Sequence, residues 1–337
     1  MEQRLKELLD SSMKADSSKT RMGMIYAILA GPALGLALGL LGLMVGKAPF
    51  NLEYPTGGWA IVEVFQIPFA LLAFVVFALC IGNWREIGRI WTSRIAWWTL
   101  FTGTGGFLGD ICYACSVVLI GGAVAGPIGG LYGLVGAVIV SSLYKENIKR
   151  WSTLVGLVLT SIGIWIVLGG ASLVSPTHGI YMLVGVLIII GATLTWGMEN
   201  FSIAAGTDLM APETVLFYRL LFTLVIGSIL LYVLFPVSRH MAALAFADPK
   251  LVTFGAVIGF SWIIWMLMGY YMGIAYAGGV RGGVLAGTFG FFFIAFFSMT
   301  IYNVPFSYTV IFGSILLFAG AALFVTEPKE LLASKRN

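Results

Sequence analysis

Residues Asp110–Gly170 read DICYACSVVLIGGAVAGPIGGLYGLVGAVIVSSLYKENIKRWSTLVGLVLTSIGIWIVLGG. An apolar helix runs into a glycine-rich turn, a second apolar helix, a charged break and a third apolar helix. The same order returns in Met268–Val325, MGYYMGIAYAGGVRGGVLAGTFGFFFIAFFSMTIYNVPFSYTVIFGSILLFAGAALFV, at an offset of 157 residues. At that offset Tyr113 falls on Tyr270, Gly121 on Gly278, Gly122 on Gly279 and Gly126 on Gly283. Farther along, Trp151 falls on Tyr308, Gly156 on Gly313 and Gly163 on Gly320. Self-similarity at a fixed offset marks a duplicated fold. The copies part company at charged positions: Asp110 falls on Leu267, and Glu146 on Asn303.

Composition sets the class. The 337 residues are 59% hydrophobic and 10% charged, with 43 glycines, and the mean hydropathy is +0.98. Soluble domains carry about 25% charged residues, and a surface this poor in charge could not be covered in water. Apolar runs of membrane-spanning length recur along the chain. Cys80, Cys112 and Cys115 all lie in apolar segments. Cys112 and Cys115 share a helix face, and with no His or further Cys beside them they read as packing residues rather than a disulfide or metal pair.

Ten apolar segments are expected, at about 23–45, 59–81, 95–116, 124–143, 151–170, 179–203, 212–235, 251–276, 281–301 and 306–325. The division is a polar N-terminal segment 1–22, a first five-helix repeat 23–170, a linker 171–178, a second five-helix repeat 179–325 and a polar tail 326–337. Gly31, Gly35 and Gly39 give the first segment one flat glycine face for close helix packing. Pro212 suits the first turn of the seventh. If the N-terminus is cytoplasmic, the inner stretches hold Arg4, Lys6, Lys14, Lys19, Arg21, Arg85, Arg89, Arg94, Lys145, Lys149, Arg150, Arg281, Lys329, Lys335 and Arg336, and the outer loops only Lys47, Arg239 and Lys250. The positive-inside rule then places both termini in the cytoplasm. Five spans per copy is an odd number, so the second copy is expected to enter from the opposite side, the build of many secondary transporters.

The chain resembles the drug/metabolite transporter superfamily, and within it the EamA-type ten-helix permeases. The resemblance spans about 23–325. It rests on Glu146 in LYKEN at the end of the fourth helix, on Gly156 and Gly163 in the next, and on WGMENFSIAAG followed by PETVLFYRLLF at the opening of the second copy. Asn303 in place of a second Glu146 and the long N-terminal segment depart from the pattern. The resemblance implies movement of small metabolites across the plasma (bacterial inner) membrane by alternating access, proton-linked or by exchange.

Ionisable groups inside spans are costly and therefore functional candidates. Glu63 and Asp110 are expected in the outer half, as a coupling acid or the counter-charge of a cationic solute. Glu199 and Arg219 are expected in the inner half, as an ion pair that gates the two copies or with Arg219 holding an anionic group. Gln66 shares a face with Glu63, and Pro68 nearby frees a carbonyl. Tyr113, Trp196, Trp262, Trp265, Tyr270 and Tyr271 are expected to line a cavity between the copies, where aromatic faces hold cations. Tyr113 and Tyr270 are expected to face each other, and Trp97 and Trp98 to lie in an interfacial belt. The turns GGAVAGPIGG and AGGVRGG serve packing and hinge motion, since no βαβ context supports a phosphate loop. Glu146 reads as part of a solvated basic cluster, and His178 and His240 lie in expected outer loops.

These residues sum to a transporter rather than an enzyme, with no cofactor, metal or nucleic acid. Its partners are the bilayer, a small solute and a coupling proton or exchanged solute, and it acts as a monomer or homodimer. Three acids against one arginine favour a cationic or zwitterionic solute. The alternatives are an organic-anion exchanger resting on Arg219 and a lipid scramblase.

Overall fold

The computed structural model describes residues 17–45, 47–50, 58–81, 95–143, 151–174, 179–234, 238–301 and 307–325. The expected polar ends 1–16 and 326–337, the linker residues 175–178, Glu146 with its basic neighbours and the side chains of Glu63, Trp97 and Trp98 lie outside them.

The described residues are mostly helical, and no strand occurs among them. In chain order the helices are α1 (Ser17–Leu29), α2 (Gly31–Val45), α3 (Gly58–Ile81), α4 (Ile95–Ile120), α5 (Gly122–Gly129), α6 (Tyr132–Leu143), α7 (Trp151–Val174), α8 (Ile180–Thr207), α9 (Pro212–Leu234), α10 (Ser238–Ala247), α11 (Pro249–Ile264), α12 (Met272–Ala277), α13 (Gly279–Ile301) and α14 (Tyr308–Val325). A π-helical stretch, Trp265–Tyr271, joins α11 to α12.

Among the described residues, seven helical segments are long and apolar enough to cross a membrane: Lys19–Val45, Thr102–Ile120, Gly122–Ile139, Ile180–Thr207, Pro212–Ile229, Pro249–Ala277 and Gly279–Ile301. Shorter apolar helices cover Val64–Leu79, Val158–Val167 and Tyr308–Leu323. The exterior is apolar as well. Leu72 and Leu79 on α3, Trp165 on α7 and Leu187 on α8 are all more than half exposed, an exterior suited to lipid rather than water. The architecture is consistent with an all-α membrane protein.

Several segments depart from the sequence expectation. The first is two helices, because Pro32 has no N–H to bond to the preceding turn and the α-helix breaks at Ala30. It also starts at Ser17, ahead of the expected 23. The third runs to Ile120 rather than 116. The fourth begins at Gly122 and breaks again at Gly130 and Leu131. The stretch expected to be a loop before the eighth segment contains α10, and Asp248 then caps α11 by accepting from the Lys250 N–H at 2.8 Å.

Glycine sets how closely the helices approach. Along α2, a Cβ on Gly35 would lie 2.6–2.8 Å from Phe293 of α13, so the expected flat face is filled by that helix. Helices α7 and α14 cross where Gly163 meets the Gly313 carbonyl and Gly320 meets the Gly156 carbonyl, with room for a Cβ at neither (2.7 and 2.6 Å). The turns that open α5 and α13 share one backbone conformation. Gly121 has φ 78° and ψ 149°, and Gly278 has φ 86° and ψ 158°, a region L-residues avoid. Gly163→Val should therefore force α7 and α14 apart and cost about 1–3 kcal/mol, as overpacking does, lowering the thermal midpoint in detergent. Gly191→Ala, with open space where its Cβ would go, should leave the midpoint unchanged or raise it slightly, alanine being the better helix former.

Candidate functional site

An ion cluster lies at the centre of the bundle. Arg219 of α9 donates from Nε to Glu199 Oε1 of α8 and from Nη2 to Asp110 Oδ2 of α4, each at 2.9 Å. Trp196 donates from Nε1 to the other oxygen of Asp110, Oδ1, at 3.0 Å. The Arg219 guanidinium carbon lies 4.7 Å from the ring centre of Trp262. Arg219 and Glu199 are each 1% exposed and Asp110 is 13% exposed, so the carboxylate of Asp110 is the one the site leaves partly open.

Local sequence makes room for this cluster. A Cβ on Gly106 would collide with Arg219 Nη2 and both Glu199 carboxylate oxygens, and one on Gly109 with the Trp196 indole. Gly103 lets α4 approach the Arg219 carbonyl, and Thr223 ties off that same carbonyl with a 2.7 Å hydrogen bond. Three glycines spaced by three thus form the face of α4 that admits a buried charge cluster. Removing one member of such a cluster strands the others and costs about 3–5 kcal/mol.

Asp110 is not set apart in a separate outer half, as expected from the sequence: it bonds to Arg219, which also holds Glu199, so all three groups meet in one cluster. The expected Glu199–Arg219 ion pair is present, and Asp110 joins it.

Aromatic rings enclose the cluster. A cavity is lined by Asp110, Glu199 and Arg219, by Tyr113, Tyr132, Trp196, Trp262, Trp265 and Tyr270, and on its apolar side by Leu34, Leu38 and Met266. Its volume is about 20 Å³, enough for a water molecule. Tyr113 and Tyr270 both reach it, each packed on different rings. Tyr113 packs on Trp196 (5.6 Å), and Tyr270 stands edge-on to Tyr132 (5.3 Å) and stacks on Trp265 (5.2 Å, 16°). Tyr271 is fully buried against Tyr270 but does not line the cavity, and its hydroxyl has no hydrogen-bond partner. Gln66 is buried on α3 and does not line it either.

The π-helical stretch explains the Trp265–Tyr270 stack. Residues five apart on an α-helix point about 140° apart, whereas the i→i+5 bonding of a π-helix sets them one above the other. Two residues were not foreseen. Tyr132 could have been noticed as the polar aromatic just past GPIGG. Gly106 carries no signal until its helical neighbours are known. Cys112 and Cys115 are free, half-buried thiols.

No protein-family model matches the chain, and no curated protein matches it. Among solved structures it is similar to one described only as "Crystal structure of protein". That match has a TM-score of 0.55 at 16% identity and covers 88% of this chain and 98% of the other. At that identity the likeness concerns the fold alone.

The geometry predicts a contrast between adjacent glycines. Gly106→Ala should drive α4 off the ion cluster and lower the thermal midpoint by the equivalent of about 1–3 kcal/mol. Gly105→Ala, whose Cβ would meet only the Thr195 carbonyl at 3.7 Å, should leave the midpoint in place.

Proposed function

We propose that the chain is a secondary transporter that carries a compact cationic or zwitterionic solute across a membrane by alternating access, with Asp110 as its coupling acid. The observation that carries this reading is the Asp110–Arg219–Glu199 cluster, held among aromatic rings where helices of both proposed copies meet. Intramembrane charge of this kind marks solute and ion pathways.

Support for inverted repeats comes from exchanging each residue with its counterpart 157 away. The exchange turns the Gly163–Gly313 contact into Gly320–Gly156, and both contacts exist. It maps the contact of Gly287 with the Gly130 carbonyl onto itself, as a pseudo-twofold axis passing between those helices requires. It also maps one left-handed glycine turn, Gly121, onto the other, Gly278. The ten apolar stretches fall five to each copy. On this reading the cavity belongs to both copies: Asp110, Tyr113 and Tyr132 come from the first, and Trp196, Glu199, Arg219 and Trp262 from the second.

The cavity is far below the roughly 300–1,000 Å³ of small-molecule sites. The two copies must therefore part for a solute to enter and close again behind it. Two carboxylates face one guanidinium, so the cluster carries one formal negative charge that a proton or a cationic group balances. That balance favours a positively charged solute over an organic anion, which would have to expel two carboxylates already bonded to Arg219. A lipid scramblase would present its polar groups to the exterior, whereas Arg219 and Glu199 are sealed inside.

Proteoliposomes loaded with a pH-sensitive dye and challenged with small amines and amino acids test the proposal. The wild type should show solute-driven proton movement. Asp110→Asn, checked by its melting profile to be folded, should show none. Equal movement in both proteins removes Asp110 as the coupling group, and none in either removes proton coupling.

A further inference from the structure

The geometry points to Arg219 as the resident competitor for the cation seat: its guanidinium occupies the place a cationic solute takes, and the solute binds by displacing it. This rests on the reading of the cavity as a solute site. Both carboxylates there and one of the ring faces are engaged by Arg219. Asp110 and Glu199 each accept from it at 2.9 Å, and Trp262 presents its ring face at 4.7 Å. Those are two carboxylates and an aromatic face, the partners an organic cation seeks. With about 20 Å³ left in the cavity, a second cation has no room beside the first, so space makes the two exclusive.

The seat also fits Arg219 imperfectly. Its third nitrogen, Nη1, is buried and bonds to no protein group. The site thus holds two of the three guanidinium nitrogens, and a compact ammonium needs no third acceptor. The occupant is thus displaceable although it bridges two acids. In the solute-free protein it spares the membrane interior two bare carboxylates, so the empty carrier can close and reorient. Arg219 then sets specificity in two ways: only a cation can replace it, and the solute's affinity is what remains after the exchange.

Calorimetric titration of the purified full chain with tetramethylammonium and with methylguanidinium tests the exchange. Arg219→Gln removes the competitor and keeps a polar side chain, and should bind these cations on the order of tenfold more tightly than wild type, as when a competing state is taken away. Adding Asp110→Asn to Arg219→Gln should return binding to the wild-type level or weaker. Should Arg219→Gln not fold, Arg219→Met serves instead, because it removes the charge and keeps a side chain of similar length, and it should tighten binding likewise. Cation affinity unchanged or reduced in whichever variant folds overturns the inference and makes Arg219 a strut or a solute ligand. The proteoliposome assay separates the two readings. Tightened binding without solute flux keeps the seat and removes the transporter. Flux with weakened binding keeps the transporter and removes the competitor.

Discussion

Burying a guanidinium among apolar helices is the constraint from which much else in this protein follows. An unpaired charge there is prohibitive, and a paired one is tolerable only if its geometry is good. Arg219 meets that condition with two carboxylates from two helices and a tryptophan face from a third. To bring them together α4 must approach α8 and α9 closely, and so it carries Gly103, Gly106 and Gly109 along one face. The aromatic wall follows from the same need. Rings exclude water from the charges and tolerate a cation, and Trp196 adds the donor that occupies the second oxygen of Asp110.

Hydropathy made the helical architecture legible, because apolar runs of span length announce themselves residue by residue. Pro32 also signals the break between α1 and α2 in the sequence, since proline's missing N–H is local chemistry. The break at Gly130–Leu131 and the π-helical stretch Trp265–Tyr271 are not local in this sense: no run of residues there forbids a plain α-helix, and packing decides. The candidate site was half legible. Its ionisable members stood out because so few charges lie in the spans. Their convergence did not, because it depends on how α4, α8 and α9 pack together, which no local run of residues states. Tyr132 and Gly106 acquire meaning only from neighbours distant in the chain.

Positions 108–114 and 265–271 show how one template takes on two tasks. At the proposed offset Leu108 corresponds to Trp265 and Tyr113 to Tyr270. In the first copy the segment is an ordinary α-helix, so positions five apart diverge: Leu108 is 44% exposed while Tyr113 is buried at the cavity. In the second copy the π-helix turns the corresponding pair inward together, and Trp265 stacks on Tyr270. The first of these segments carries an acid, Asp110, and the second carries three aromatic rings, Trp265, Tyr270 and Tyr271. The glycine turns that follow, Gly121 and Gly278, keep the same backbone. On the proposed repeat, the elements that fix how the helices cross are thus alike, and those that line the cavity are not. A carrier whose halves rock about a common axis needs the first kind of likeness. A site that selects one charge needs the second kind of difference, and a change of helical winding supplies it without moving the helix ends that the packing glycines hold.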